Sequence, residues 1–277
     1  MPKDILVHVD NSRDCDARIE AAVRIASQFG AHLSGLYVRP RLAVIPPYIA
    51  ADMDPTLLKI QAQAVDAQAE EAKSRFDAIA AAPDVTVEWR CVEGGLGRTI
   101  NTHARYADLV VLGQANAEDP KSVSDGLADR VVLESGRPVL AIPYIGPPEN
   151  FAQNVLVAWN GSREAVRAVN DAMPFLKAAK RVDVLAIDPD EAKNGHGDIP
   201  SADICLHLAR HGANAHASHI MASDIDVGNM LLSRAADVGA NLIVMGAYGR
   251  SRFREIVLGG ATLHILRHMT VPVLMSH

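Results

Sequence analysis

Cysteine, long apolar runs and clusters of positive charge are all scarce in this chain. Its 277 residues include 3 cysteines, which lie far apart and form no C-x-x-C pair. We therefore expect a reducing, cytoplasmic setting in which the cysteines are structural. No apolar run could span a bilayer and no signal peptide leads the chain, which argues against a membrane partner. The net charge of −6 and the absence of a lysine or arginine run argue against nucleic acid as a partner.

Several signatures of catalysis and of metal binding are missing as well. Neither G-x-x-x-x-G-K-[ST] nor a G-x-G-x-x-G after a strand occurs. Ser12 and Ser162 follow strand-like segments outside any G-x-S-x-G, so we interpret both as helix N-caps rather than nucleophiles. Two histidine pairs have the i, i+4 spacing of zinc ligands, but no third ligand accompanies either pair. We predict no catalytic residue and no metal site; the two pairs are His207 with His211 and His264 with His268.

The most informative stretch of the sequence runs from residue 240 to residue 262. Residues 242–245 are apolar and end at Gly246, which is typical of a strand buried on both faces of a parallel sheet. Gly249 and three nearby arginines follow, and Gly259, Gly260, Ala261 and Thr262 then open a helical run. Glycine lets backbone N–H groups approach an anion, and a helix N-terminus favours negative charge. The stretch is a candidate phosphate site, although ordinary turn chemistry explains the glycine spacing equally well.

The spacing Gly246-x2-Gly249-x9-Gly259 resembles the G-2x-G-9x-G-[S/T] motif of the universal stress protein family. In that family the loop holds the ribose and phosphates of ATP. The resemblance therefore implies ATP or another adenine nucleotide as the cofactor, with or without Mg²⁺. Gly260 stands where the family often has serine or threonine, and Thr262 would partly replace that hydroxyl. The family also contains members that bind no ATP, so a non-nucleotide-binding protein remains an alternative.

An internal repeat divides the chain into two similar halves. Residues 5–13 match residues 155–163 at an offset of 150, and residues 108–113 match residues 241–246 at an offset of 133. A linker rich in proline and glycine separates the two copies. We predict two universal stress domains, residues 1–146 with a degenerate nucleotide site and residues 151–277 with an intact one.

Alternating strand-like and helical segments predict an α/β fold in each half, with a parallel sheet and helices on both faces. The resemblance implies five strands in the order 3-2-1-4-5. It also implies that Pro138–Ile142 lies antiparallel to Val271–Met275, which would make the chain an internal pseudo-dimer; a further homodimer stays open. The remaining predicted strands are Ile5–Asp10, Leu33–Val38, Val85–Val92, Asp108–Gly113, Val155–Asn160, Arg181–Ile187, Ala213–Met221 and Leu242–Gly246.

A ligand of such a sheet lies beyond the carboxyl ends of the first and fourth strands, where the strand order reverses. The resemblance implies that Asn160, where the family usually has aspartate, contacts the adenine side of the nucleotide. It also implies that Ile187 lines the base and that Met245 touches the ribose, while Trp159 stacks on the base or fills the pocket. The predicted nucleotide-binding residues are Ala158, Trp159, Asn160, Ile187, Met245, Gly246, Gly249, Arg250, Gly259, Gly260, Ala261 and Thr262.

The first half keeps the spacing of the motif but not its chemistry. Asp10 ends its first strand, and Gly113-x2-Asn116-x9-Gly126 preserves the frame of the loop. Acidic side chains in that loop would repel a triphosphate, and a proline removes one backbone donor. We predict that the first half does not bind ATP; the residues responsible are Glu118, Asp119 and Pro120.

These patterns predict a stress-response sensor or regulator that binds adenine nucleotide in its second half. The S-G-G-x-D-S and H-I-G-H signatures of related ATP-dependent enzymes do not occur, so we expect at most slow ATP hydrolysis. A slow ATPase is one alternative. Another is a protein that acts through protein or small-molecule contacts, in which the apolar segment from Pro40 to Asp54 would be a lid, a docking segment or an extended loop packed on its own domain.

Overall fold

A computed structural model describes residues 1–40, 55–123, 125–187, 201–220, 226–248 and 260–277 of the protein. Ten strands and eight helices lie in these ranges. The strands are β1 (Asp4–Val9), β2 (His32–Arg39), β3 (Val87–Glu93), β4 (Leu109–Gly113), β5 (Val139–Ile142), β6 (Asn154–Ala158), β7 (Arg181–Ile187), β8 (Ala215–Ile220), β9 (Leu242–Gly246) and β10 (Val273–Ser276). The helices are α1 (Cys15–Phe29), α2 (Pro55–Ile79), α3 (Leu96–Ala104), α4 (Leu127–Ser135), α5 (Arg163–Ala178), α6 (Ala202–Arg210), α7 (Val227–Asp237) and α8 (Gly260–His268).

All ten strands belong to one sheet in the order β3-β2-β1-β4-β5-β10-β9-β6-β7-β8. Each half therefore has the order 3-2-1-4-5, which confirms the prediction. Neighbouring strands within a half are parallel, because each crossover carries a helix back across the sheet. The reversal of order lies between β1 and β4 in the first half and between β6 and β9 in the second.

The two halves meet through β5 and β10, which pair antiparallel with Leu140 opposite Leu274. This pairing was predicted from the family resemblance and is confirmed. Both strands begin one or two residues later than predicted. The reason is the same in each, since Pro138 and Pro272 have no N–H to give to the sheet and contribute only carbonyls, to Val110 and Ile243.

The core consists of two apolar layers, one on each face of the shared sheet. Residues alternate between the layers along each strand: in β6, Val155 and Val157 belong to one layer and Leu156 to the other. Both layers include residues from both halves. The sheet therefore holds the two sets of strand ends in fixed positions, and the sites are built at those ends.

Some predictions fall outside these elements. Residues 41–54 of the candidate lid lie outside the described ranges. The domain limits 1–146 and 151–277 remain predictions, and residues 143–153 between β5 and β6 carry no helix or strand. Among the described residues, no helix is both long and apolar enough to cross a membrane.

Candidate functional site

A cavity of about 480 Å³ opens at the carboxyl ends of β6, β7 and β9 in the second half. Nine of the twelve residues predicted from the sequence line it, and the other three, Gly249, Arg250 and Gly259, lie outside the described residues. The nine come from four separate segments that the sheet and α8 bring together. They are Ala158, Trp159, Asn160, Ile187, Met245, Gly246, Gly260, Ala261 and Thr262.

The β6 end of the cavity is shaped by a turn that leads into α5. The side-chain oxygen of Asn160 accepts a hydrogen bond from Ser162 N at 3.0 Å, and Ser162 Oγ accepts one from Ala165 N at 3.2 Å. Ser162 is therefore the N-cap of α5, as predicted. Because the Asn160 oxygen is engaged, its amide N–H₂ remains as the donor toward a ligand.

The opposite end of the cavity lies at the N-terminus of α8, which begins at Gly260. Gly260 is exposed, and a Cβ added there would meet no atom of the described residues within 4 Å. Thr262, in the first turn of the helix, is only 4% exposed. The first N–H groups of a helix have no partner within that helix, so this end of the cavity suits an anion.

Gly246 lets β9 approach the start of α5 closely. A Cβ at this position would lie 2.5 Å from Ala165 N and 2.5 Å from the Glu164 carbonyl carbon. A side chain there would displace backbone, so the glycine is required by packing whatever the ligand. The motif glycine therefore has a structural role that sequence spacing alone did not reveal.

Four further residues line the cavity and were not predicted. Leu185 lies two residues before Ile187 on β7, and Val227 and Leu231 are one helical turn apart on α7. The alternation of β7 around Ile187 could have identified Leu185. The fourth, Tyr248, lies between the first two glycines of the motif, and family spacing gave no reason to select it.

Tyr248 also contacts the other half of the molecule. It is 4% exposed, and its hydroxyl donates a hydrogen bond to Asp129 Oδ1 on α4. Burial raises the pKa of Asp129, and the bond from Tyr248 opposes that rise. The backbone at Tyr248 has φ 54°, the left-handed region that bulky residues rarely adopt.

The corresponding place in the first half is occupied by the protein's own side chains. Arg18 on α1 is 2% exposed, and its guanidinium lies 2.8 Å from Asp10 Oδ1 and against Gly113 at the end of β4. His8 is 3% exposed, and its Nδ1 lies 3.6 Å from Asp10 Oδ2. Ser12 donates from both its N–H and its hydroxyl to Asp10. The Ser12 hydroxyl is hydrogen-bonded to the Asp10 carboxylate and therefore does not cap α1. The prediction that Ser12 is an N-cap was wrong.

The electrostatics of this cluster follow from its burial. Burial and the nearby charge of Arg18 lower the pKa of His8 to about 4, so the imidazole is neutral at pH 7. Burial alone would raise the pKa of Asp10, but Arg18, His8 and the bonds from Ser12 outweigh it and hold that pKa well below its usual range. The cluster is thus a buried ion pair beside a neutral histidine.

Several backbone N–H groups of the loop that follows β4 are bonded to side chains of the same loop. Asn116 N donates to Ser122 Oγ at 2.9 Å, and Glu118 N donates to Asn116 Oδ1 at 3.0 Å. Asp119 accepts from Lys121 N at 3.0 Å and from Arg13 N at 2.7 Å, and these bonds lower its pKa. The Asp119 carboxylate therefore takes N–H groups that an anionic ligand would need.

The first half also splits the matching residues between two cavities. Asp10 lines one of about 480 Å³ together with His8 and Tyr37. Gly113, Asn116 and Gly126 line another of about 460 Å³, which Arg267 of the second half also borders. The side chain of Val123 lines both and lies between them. In the second half, the residues matching Asp10, Gly113 and Leu127 share one cavity.

The two histidine pairs do not gain a further ligand. The rings of His207 and His211 lie 4.6 Å apart, and those of His264 and His268 lie 4.5 Å apart. Within the described ranges, no group of three or more His, Cys, Asp or Glu residues is arranged to hold a metal ion. His264 Nδ1 lies 3.9 Å from Asp226, which caps α7.

Comparisons with known proteins agree with the repeat. The model of the universal stress protein family matches residues 1–143 and again residues 152–277. A universal stress protein from Archaeoglobus fulgidus DSM 4304 has a similar structure, with a TM-score of 0.71, 16% identity and coverage of 99% of this chain and 97% of its own. A functionally unknown protein from Pseudomonas aeruginosa PAO1 has a TM-score of 0.59, 16% identity and coverage of 99% and 92%. These likenesses concern the fold. No match is found among curated protein sequences.

Proposed function

This chain belongs to the universal stress protein family, and we propose that its second half binds an adenine nucleotide, ATP, ADP or AMP, to serve as a stress-linked sensor or regulator. One observation carries the proposal. The nine described residues that the motif, the strand ends and the family resemblance select, spread over more than 100 positions of the chain, all line one cavity of about 480 Å³. Cavities of about 300–1,000 Å³ are the usual size for small-molecule sites.

The lining residues suit the parts of a nucleotide. Ile187, Leu185 and Trp159 provide apolar surface for a base at one end. The Asn160 amide can donate to a ring nitrogen. At the other end, the α8 N-terminus with Gly260 and Thr262 suits phosphate. Mg²⁺, if it accompanies the nucleotide, would supply charge neutralisation at that end.

The first half is proposed as the inactive partner of the pair. Loop N–H groups are bonded to Asp119, Asn116 and Ser122, and Arg18 and His8 lie against Asp10 at its strand end. The expected stoichiometry is therefore one nucleotide per chain. All three cysteines are unpaired, which supports the reducing cytoplasm as the proposed compartment.

A regulatory role is favoured over a metabolic one. The cavity contains no histidine, cysteine, aspartate, glutamate or lysine among its described lining residues, so these supply no general base for rapid hydrolysis. We expect turnover far below the enzyme median of about 10 s⁻¹. We expect the protein to signal by changing between nucleotide-bound and nucleotide-free states.

Release of bound nucleotide is the direct test. Freshly purified protein is heat-denatured, and the supernatant is resolved by chromatography, with one adenine nucleotide per chain expected. Protein freed of nucleotide is then titrated with ATP and Mg²⁺ by calorimetry. Absence of nucleotide in both measurements would reject the proposal in favour of a role through contacts alone.

A variant at Gly260 makes the test specific to the site. Gly260→Glu adds a carboxylate where a Cβ meets none of the described atoms, so the fold should persist, and its charge would repel phosphate at the α8 N-terminus. We expect ATP affinity to fall by at least about tenfold. Gly95→Glu is the matched control, since Gly95 is an exposed N-cap glycine of α3 whose Cβ also meets no atom. Equal losses in both variants would argue against phosphate binding at α8.

A further inference from the structure

The second-half cavity has one wall that the first half holds in position. Tyr248 lines the cavity and is 4% exposed, and its hydroxyl donates to Asp129 of α4. Asp129 is 7% exposed and does not line that cavity. Asp129 therefore makes no contact with a ligand in that cavity, and its hydrogen bond to Tyr248 is the contact through which it reaches the cavity wall.

The backbone beside Tyr248 is held from a second direction. Ala247 N donates to Ser276 O at 2.9 Å, and the Ala247 carbonyl lies 2.9 Å from His277 Nδ1. Tyr248 itself has φ 54°. A bulky residue persists in the left-handed region only where surrounding contacts over-determine it, and such residues are concentrated at binding sites. The strained residue directly precedes Gly249, the second glycine of the motif.

The bond between Tyr248 and Asp129 has no counterpart at the matching positions. By the offset of 133 that relates the two motifs, Ala115 matches Tyr248 and Thr262 matches Asp129. An alanine methyl group cannot donate a hydrogen bond to threonine, so the reciprocal bond cannot form. The second half contacts the first-half cavity by a different residue, Arg267, which donates to Asp125.

We propose that Tyr248 is a positioning residue for the second-half ligand and that Asp129 of the first half fixes it, so that the nucleotide site is complete only when both halves are present. This inference rests on the proposed nucleotide function. The hydrogen bond orients the Tyr248 ring along the cavity wall. It also holds the backbone directly before Gly249, the second glycine of the motif. Without the bond, the Tyr248 hydroxyl loses its carboxylate partner, and we expect the cavity wall to be less well ordered before a ligand binds.

The test compares affinity with stability in the full chain. Calorimetry gives the Kd for ATP with Mg²⁺, and thermal unfolding without nucleotide gives Tm. Tyr248→Phe removes the hydroxyl, and we expect Kd to rise about fivefold. Asp129→Asn keeps an acceptor oxygen and should leave Kd within about twofold of wild type. Tyr37→Phe is the control, because Tyr37 is a buried tyrosine, 5% exposed, in the first half.

A double variant tests whether the two residues act together. Asp129→Leu should weaken binding as much as Tyr248→Phe, and the double variant should be no worse than either alone. If Tyr248→Phe lowers Tm but leaves Kd unchanged, the bond only joins the halves and the positioning role is refuted. If wild-type protein binds no ATP, the proposed function fails, and the positioning role fails with it.

Discussion

Three matching positions of the fold carry chemically different residues in the two halves. At the end of the first strand and on the helix after it, the first half has a buried, charged cluster, whereas the second half has small side chains and an amide. The matching residues are His8 and Ala158, Asp10 and Asn160, and Arg18 and Ala168. Among the described residues, those at this place in the second half line one cavity, whereas the matching residues of the first half are divided between two.

The first half keeps open space at its strand ends although charged side chains lie there. In the first half the charges that a ligand would meet are already satisfied within the protein: Arg18 lies on Asp10, and the Asp119 carboxylate accepts from backbone N–H groups. The protein's own charges therefore lie against one another at this place. The pairing is electrostatic rather than fully hydrogen-bonded, because His8 Nδ1, Asp10 Oδ2, Arg18 Nε and Arg18 Nη2 are buried without a hydrogen bond among the described residues.

The largest loss of stability is expected when the buried Arg18 guanidinium is removed. Arg18→Met leaves Asp10 buried without its partner, and we expect unfolding free energy to fall by about 3 kcal/mol in chemical denaturation. Lys73→Met, which breaks the exposed pair with Asp77, should cost less than about 0.5 kcal/mol. Adding Asp10→Asn to Arg18→Met should recover part of the loss. A cost for Arg18→Met as small as the control would show that the first half does not depend on this ion pair.

The next largest effect is the pH dependence of stability, which we expect to come from the first half. The unfolded chain protonates His8 near its ordinary pKa of 6.5, whereas the folded chain does so only near pH 4. Unfolding is therefore favoured as pH falls from 6.5 to 4, and the stability present at pH 7 decreases by up to about 3 kcal/mol. Asp10 stays ionised throughout this window because its folded pKa is lowered, and its own contribution is lost only below its ordinary value of 3.8.

The His8 contribution can be measured by difference. Denaturation curves at pH 7, 5.5 and 4.5 for wild type and His8→Gln should show a shallower pH dependence in the variant. Ala158 at the matching position has no titratable group, so the second half should add nothing to this difference. Identical pH dependence in both proteins would exclude His8 as the source.

The smallest effect comes from exchanging one residue between the halves. Ala158→His introduces the first-half residue into the second-half cavity, and we expect ATP affinity to fall about tenfold as the ring fills space. The reverse change, His8→Ala, should not create ATP binding, because the loop donors remain bonded to Asp119 and Ser122. A second equivalent of nucleotide bound by His8→Ala would show that the histidine alone closes the first site.

Local patterns in the sequence predicted the fold and one side of the site well. Buried apolar runs that end in glycine define parallel strands, and the reversal of strand order then determines which strand ends meet. Asn160 and Gly246 were brought together by that rule. The antiparallel joint between β5 and β10 was predicted only because of the family resemblance.

The sequence could not reveal contacts that depend on long-range pairing. Arg18 lies on an amphipathic helix, where an arginine is ordinarily expected on the exposed face, and its burial depends on Asp10 and Gly113. The same holds for Tyr248, whose partner is 119 positions away. Ser12 was misassigned because the Asp10 carboxylate, rather than the α1 N-terminus, takes its hydroxyl.

The pairing of β5 with β10 within one chain has a consequence for evolution as well as for assembly. In a homodimer of identical chains, every substitution appears on both sides of the two-fold axis, so a mutation that closes one site closes both. A tandem chain escapes that constraint, because gene duplication lets each copy mutate alone. Its halves are also always at a high effective concentration, so dilution cannot separate them. The bond between Tyr248 and Asp129, which has no counterpart at the matching positions, is an asymmetry that a homodimer of identical chains could not inherit.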